Sequence, residues 1–244
     1  MKLSHKIGKL FSREAHARGL RTLERKLHPL PLGPLLANVD QERLREIQNR
    51  YETSKEDPSK YRKYLLGFDR WMEVNAHRAQ HLKLHRLPPQ EIVDLGCGGG
   101  FFLFICQQLG HHCLGIDTGE DRLFDELIDL FRVERKIWKI NAFDPLPDLG
   151  RTFNLITAFA TGFNTDRQGR VWGVDKWNFF VNDLAHHLQS GGKVFFEINT
   201  GINSGCYPDQ VRDLFRRRGA ILERDYVCFA KGLQEISSPA SAQW

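Results

Sequence analysis

The stretch VDLGCGGG, residues 93–100, runs from an apolar segment straight into five small residues, Gly96 to Gly100. Missing side chains let another group approach the backbone closely, and glycine also supplies the dihedral angles of a tight turn. A strand, then glycines, then a helix start is how an α/β sheet meets a nucleotide-like ligand, with helical N–H groups pointing outward. The spacing narrows the choice. In a Gly-x-Gly-x-x-Gly dinucleotide turn the third glycine would fall at 101, which is Phe101. That residue disfavours a nicotinamide oxidoreductase. What stands here is Asp-x-Gly-x-Gly-x-Gly, built from Asp94, Gly96, Gly98 and Gly100.

Outward from the turn, EIVDLG, HHCLGID, RKIWKI, FNLITAFA and GKVFFEIN are apolar runs too short for independent helices, and they read as buried strands. Between them FFLFICQQLG reads as a helix closed by Gly110, and EDRLFDELIDLFR as a second. WNFFVNDLAHHLQSGG is a third, with Trp177, Phe180, Val181, Leu184 and Leu188 on one face. The alternation predicts a parallel α/β sheet over residues 89–230. Residues 231–244, ending EISSPASAQW, read as a loose tail.

Ahead of the sheet, residues 1–35 read as a basic helical arm and linker, with Leu3, Ile7, Leu10, Phe11, Leu20, Leu23 and Leu27 mostly at helical spacing. HPLPLGPLLANVD (28–40) holds three prolines and a glycine and is expected not to form regular helix. A helical cap over 36–88 follows, starting near Asp40. Leu65, Phe68, Met72, Ala79 and Leu82 are its packed stripe, and Pro88-Pro89 its stop.

A chain of 244 residues that is 41% hydrophobic and 27% charged has a globular composition, enough for one substantial core and an appendage. No apolar run approaches the roughly 20 residues of a membrane helix, and no secretory apolar region precedes a cleavage site, so a cytoplasmic protein is expected. Cys97, Cys106, Cys113, Cys206 and Cys228 form no CxxC pair and are odd in number, which predicts reduced thiols. Residues 1–90 carry 19 Lys and Arg against 10 Asp and Glu, while residues 91–244 carry 16 against 20. A basic leader can attract nucleic acid, but a solvated helix face is the commoner cause, so a nucleic-acid partner is possible and not favoured.

The Asp94–Gly100 motif, Asp117 at the end of a second strand in LGIDTGED, and the turn LQSGGKVFFEIN into a fifth strand occur together. In this conjunction residues 89–230 resemble the class I S-adenosylmethionine-dependent methyltransferases, uncharacterised bacterial members among them. The resemblance implies an α/β, Rossmann-like class I methyltransferase sheet, mostly parallel, here with an N-terminal helical extension. It also implies S-adenosyl-L-methionine as cofactor. Asp94, Gly96, Cys97, Gly98 and Gly100 would then pack under its methionine and ribose parts, with Cys97 a small filler whose backbone matters. Asp117 would accept from the ribose hydroxyls, as a carboxylate can from two donors at once. Asn141, Ala142 and Phe143, with Asp144 beside them, would lie near the adenine, and Ala158 on the fourth strand completes the cofactor set. FNLITAFA has Asn154 where Asp is common and lacks the Asn/Asp-Pro-Pro-Tyr/Phe box of amino-methylating nucleic-acid enzymes.

Methyl transfer implied by this resemblance is an in-line displacement in which the protein orients and desolvates, and a hydroxyl or protonated amine acceptor also needs a base. Glu197 and Asn199, ending the fifth strand, are the catalytic candidates, with Asp166 and Asp175 in the preceding loop. Two plainer roles compete: Glu197 as a structural acid bonded to a neighbouring helix, and Asp117 as cap of a helix starting near Glu120. His77, His81 and His85 stand at i, i+4 and i+8 on one helical face, a spacing at which a pair can hold a metal. No Glu or Cys completes a site, so no metal is expected. His186 and His187 end a helix, where a cation suits the dipole. Tyr51, Tyr61, Tyr64, Trp71 and the 160–176 loop are expected around the acceptor. The leading expectation is methylation of a hydroxyl or amine on a small molecule or glycan. Its alternatives are an RNA- or DNA-interacting methyltransferase using the basic arm, and a non-catalytic S-adenosylmethionine-binding module.

Overall fold

The computed structural model describes residues 19, 22–23, 26–53, 62–165, 170–198, 207–223 and 226–233. Most of the basic arm, Tyr61, Asp166, Asn199, Cys206 and the tail from 234 lie outside the described residues. The chain divides into two compact units, Met1–Leu87 and Pro88–Trp244.

The first unit contains α1 (Leu32–Ala37), α2 (Gln41–Thr53), α3 (Lys63–Leu66), α4 (Phe68–His81) and a 3₁₀ turn over Leu84–Arg86. Helix α1 corrects the expectation that 28–40 holds no regular helix. Pro31 is its N-cap, and Gly33 and Pro34 fall in its first turn, where backbone N–H groups have no intrahelical partner to lose. Asp40 accepts from the N–H of Arg43 at 2.9 Å, which starts α2. The expected stripe is buried at Leu65, Phe68, Met72 and Ala79, whereas Leu82 is half-buried. The histidine stripe is also corrected. Helix α4 ends at His81, Lys83 turns left-handed at φ 59°, and His85 falls in the 3₁₀ turn, so the three rings do not share a helical face. Among the described residues no cluster of three or more His, Cys, Asp or Glu side chains could hold a metal. No helix among them is long and apolar enough to cross a membrane.

The second unit contains β1 (Glu91–Leu95), α5 (Phe101–Gln108), β2 (His112–Asp117), α6 (Arg122–Phe131), β3 (Arg135–Ile137), β4 (Phe153–Thr161), α7 (Val174–His187), β5 (Leu188–Ile198), α8 (Asp209–Arg217), β6 (Ile221–Leu222) and β7 (Tyr226–Phe229). They form one sheet in the order β3-β2-β1-β4-β5-β7-β6. Strands β1 to β5 are parallel, and β7 runs antiparallel to both β5 and β6. Ile92, Val93 and Leu95 are sealed from solvent, as a central parallel strand requires. Because β2 and β4 lie on opposite sides of β1, the strand order reverses there. The crevice beyond the carboxyl ends of β1 and β4 is therefore the natural ligand site. The sequence patterns anticipate β1 to β5. The β6–β7 pair was not among them, although Val227 and Phe229 are buried while Tyr226 and Cys228 are half-buried, the alternation of an antiparallel strand.

Aromatic rings gather in the core around α7. On α7, Trp177, Phe180, Val181 and Leu184 are buried, and the Trp177 ring lies 5.3 Å from both Tyr207 and Phe215. Leu188, expected on that helix face, instead begins β5. At the end of α7, burial pulls the His187 pKa below its ordinary 6.5, and the Asp183 carboxylate offsets only part of that. His187 is thus not the dipole-complementing cation that its position suggested. Asn154 is structural: its Oδ1 accepts from Glu91 N at 2.8 Å and its Nδ2 donates to Gln189 Oε1 at 2.7 Å, joining the starts of β1, β4 and β5.

Candidate functional site

Gly96, Gly98 and Gly100 all take left-handed backbone, with φ of 76°, 53° and 77°. Much of their necessity is internal. A Cβ on Gly96 would stand 2.5 Å from Thr161 Cγ2, one on Gly99 2.8 Å from Leu127 Cδ1, and one on Gly100 2.8 Å from Ile128 Cδ1. At Gly98 the nearest atoms are the Phe124 ring at 3.4 Å, an ordinary contact. Of the four glycines, Gly98 is therefore the one where a Cβ would meet no clash.

Four N–H groups of the turn bond within the protein. Gly96 N and Cys97 N donate to Ile116 O at 2.7 and 3.1 Å, Gly98 N to Asp117 Oδ2 at 2.8 Å, and Gly100 N to Cys97 O at 3.0 Å. These four bonds hold the shape of the turn.

Asp117 ends β2 and is half-buried, beside Ile137 in the parallel register. Its Oδ1 accepts from Thr118 N at 2.8 Å and its Oδ2 from Gly98 N. A carboxylate has about four lone-pair positions: Oδ2 keeps one, and at Oδ1 the Thr118 hydroxyl stands 3.5 Å away, far enough for a ligand hydroxyl to displace it. The helix-cap alternative does not hold. The N-cap of α6 is Asp121, whose Oδ1 accepts from Leu123 N at 3.0 Å. Beside Asp117, Ile137 is 54% exposed and packs over Gly119, where a Cβ would lie 2.9 Å away. Phe143, also 54% exposed, is held at φ 60° with its ring 5.8 Å from that of Phe179. An exposed apolar side chain, Ile137, thus lies beside a carboxylate that can accept from hydroxyl donors. Asn141 is exposed, its Nδ2 donating to Lys139 O at 3.1 Å, and Ala142 is half-buried against the core.

Asp94 lies beneath the turn. It is buried, and its Oδ1 accepts from the Thr157 hydroxyl at 2.7 Å across the β1–β4 seam. Cys97 fits its reading as a filler: Gly115 on β2 leaves room for it, since a Cβ there would sit 2.5 Å from Cys97 Sγ. Burial, then the Asp94 and Asp117 charges, push the Cys97 thiol well above its ordinary pKa of 9.0. Burial also raises Cys106 and Cys228. None is a nucleophile at neutral pH. Above pH 9.0 the unfolded chain releases these protons while the folded chain retains them, so stability must fall as pH rises. The expected result is a melting temperature that declines beyond pH 9.0, with a shallower decline in Cys97→Ala, read by thermal unfolding from pH 7 to 10.5.

The carboxyl ends of β4 and β5 border a cleft lined by Ala158, Thr161, Phe163, Asn164, Trp177, Phe196, Glu197 and Tyr207. Ala158 therefore stands in the wall of this cleft together with Glu197. Thr161 belongs to both regions, because its methyl occupies the space beside Gly96 while its side chain lines the cleft. Strand β4 kinks where this happens: Ala160 takes φ 53° at a register shift against β5. Bulges of this kind re-aim side chains next to sites. Asp175 is exposed in the first turn of α7 and does not line the cleft. Thr161, Asn164, Trp177 and Tyr207 had no place among the sequence candidates by name, since only folding brings the ends of β4, α7, β5 and α8 to one cleft.

No family model and no curated protein matches the chain. Among solved structures it is similar to DesVI of Streptomyces venezuelae, at 18% identity over 57% of this chain and 55% of that one, with a TM-score of 0.44. It is also similar to a ribosomal protein L11 methylase from Lactobacillus delbrueckii subsp. bulgaricus, at 15% identity over 68% and 78% of the two chains, TM-score 0.42. A third likeness is to SAM-bound CalS10, an amino pentose methyltransferase from Micromonospora echinaspora, at 21% identity over 57% and 53%, TM-score 0.39. The matched part spans about half the length of DesVI and of CalS10. Sheet order, antiparallel β7 and a glycine turn between β1 and α5 together give residues 88–244 the Rossmann-like fold of the class I S-adenosylmethionine-dependent methyltransferases.

Proposed function

We infer that the protein is an S-adenosylmethionine-dependent methyltransferase acting on a small-molecule or glycan acceptor. The observation that supports this best is the chemistry of the turn. Four of its N–H groups fix its shape, one of them by holding the Asp117 carboxylate beside it, and Asp117 retains acceptor capacity, which suits the hydroxyls of a ribose. Gly98 and Asp117 would hold the ribose side, Ile137 and Phe143 the adenine, with Asn141 and Ala142 beside it, and Gly96 and Asp94 would shape the floor. When bound, the cofactor supplies an electrophilic methyl group on a positively charged sulfur. The remaining work falls to the chain: orienting an acceptor, excluding water and taking up a proton. Glu197 is the acid–base residue in this reading, because it borders the cleft that Thr161 joins to the glycine turn. Asn199, one residue beyond β5, is proposed as its neighbour in that role.

Thermal unfolding with ligand tests the reading. S-Adenosylhomocysteine at about 100 times its Kd should add about 2.7 kcal/mol of stability, and NAD none. Stabilisation by NAD alone would overturn the assignment.

A further inference from the structure

We propose that the cleft at the ends of β4 and β5 is a subsite for a neutral hydroxyl, so that the substrate is recognised as an uncharged alcohol. This deepens the methyltransferase reading and rests on it. Trp177 lines the cleft and is 2% exposed, and its Nε1 has no hydrogen-bond partner among the described residues. An indole N–H can only donate, so what it lacks is an acceptor. The rings of Phe163, Phe180, Phe196 and Phe215, centred between 5.3 and 6.3 Å from that of Trp177, have no oxygen or nitrogen to offer. A buried donor is seldom left open in a sealed core, and this one calls for an oxygen brought by a ligand.

Charge and size narrow the choice of oxygen. No lysine, arginine or histidine is among the lining residues, so a carboxylate or phosphate would lose its water without gaining a cation. An ammonium has no lone pair and would meet the indole N–H donor to donor. A hydroxyl accepts from the indole and also donates. Asn164, buried in the same wall, carries a carboxamide whose oxygen can take that second hydrogen bond, whereas a carbonyl could use only the first partner.

The dimensions agree. The cleft encloses about 230 Å³ counting its open mouth, and its floor admits one group the size of a water molecule. A hydroxyl is of that size. The body that carries it is left in the mouth against the aromatic walls of Phe163, Phe196 and Tyr207, which suit an apolar or ring-shaped scaffold.

The test is ligand-observed NMR titration of the full-length protein with benzyl alcohol, with toluene, which lacks the hydroxyl, and with the charged counterparts benzylamine and benzoate at neutral pH. Wild type should bind the alcohol about fivefold or more tightly than toluene, because toluene leaves the buried donor unpaired. Benzylamine and benzoate should each bind about tenfold or more weakly than the alcohol. Trp177→Phe keeps a ring and removes the N–H, and should bring the advantage over toluene to about twofold or less. Asn164→Leu should reduce it likewise while keeping the backbone carbonyl that accepts from Trp172 N. Melting temperatures within about 5 °C of wild type would show that the variants fold, and the wild-type ranking decides without them. Toluene bound as tightly as the alcohol, a charged probe bound more tightly, or no binding of the alcohol overturns the proposal, as does an undiminished preference in either folded variant. Titration with S-adenosylhomocysteine keeps the two readings apart. Binding of that ligand without alcohol preference removes the hydroxyl subsite alone, whereas alcohol preference without it removes the methyltransferase reading and leaves a hydroxyl site.

Discussion

Asp117→Ala is expected to weaken S-adenosylmethionine or S-adenosylhomocysteine binding by about thirtyfold to a thousandfold, or roughly 2–4 kcal/mol, because two charge-assisted hydrogen bonds to the ribose are lost together. The same change should lower the stability of the cofactor-free protein. Gly98 N and Thr118 N both donate to this carboxylate and would lose their partner, at a cost of about 1–3 kcal/mol. Asp121→Ala is the matching control: it removes the α6 cap, costs about 1 kcal/mol and leaves affinity unchanged. Calorimetry and thermal unfolding on both variants decide the matter. An Asp117→Ala protein that binds as wild type does would remove Asp117 from the site.

The second large effect belongs to the glycines, and it divides them. Gly96→Val should lose stability on the order of 2–5 kcal/mol, combining left-handed strain with overpacking. The Cβ collides with Thr161 at 2.5 Å on a strand already kinked at Ala160. For a chain of this length the melting temperature would fall by on the order of 10 °C. Gly98→Ala should cost only about 1 kcal/mol of strain, since its Cβ meets the Phe124 ring at an ordinary 3.4 Å. Its cost is expected instead in cofactor affinity, with a loss of about tenfold or more, because the new methyl and the Phe124 ring it meets stand at the turn that Gly98 N ties to Asp117. If Gly98→Ala binds normally and Gly96→Val is stable, the turn has neither role assigned to it.

These contrasts show what a sequence can and cannot reveal. The run at 93–100 announced a strand, a turn and a helix, since glycines, alternating polarity and chain length are local signals. Whether each glycine makes room for a ligand or for the protein itself depends on Thr161, Leu127 and Ile128, which arrive from elsewhere in the chain. Asp117 was legible because it ends a strand in register with the turn, and the competing cap could be dismissed only once Asp121 was seen bonded to Leu123. Pro31, Gly33 and Pro34 argued against helix by composition, yet all three sit at the start of α1, where neither a missing N–H nor a fixed φ does harm. The cleft around Trp177 was legible only in part, through Ala158, Glu197 and the 160–176 loop. Its walls come from residues 158–164, 177, 196–197 and 207, and no spacing rule joins them.

The order β5-β7-β6 at one side of the sheet also matters for biosynthesis. Among the described residues strand β6 pairs only with β7 and β7 is the last strand, so the outer edge of β5 stays bare on the nascent chain until Phe229 has left the ribosome. A hydrophobic strand with an open edge invites pairing with other chains. Shortening the protein by the few residues of β7 would therefore do more than trim a margin: it would hold every copy in its most adhesive state, with β6 orphaned beside it.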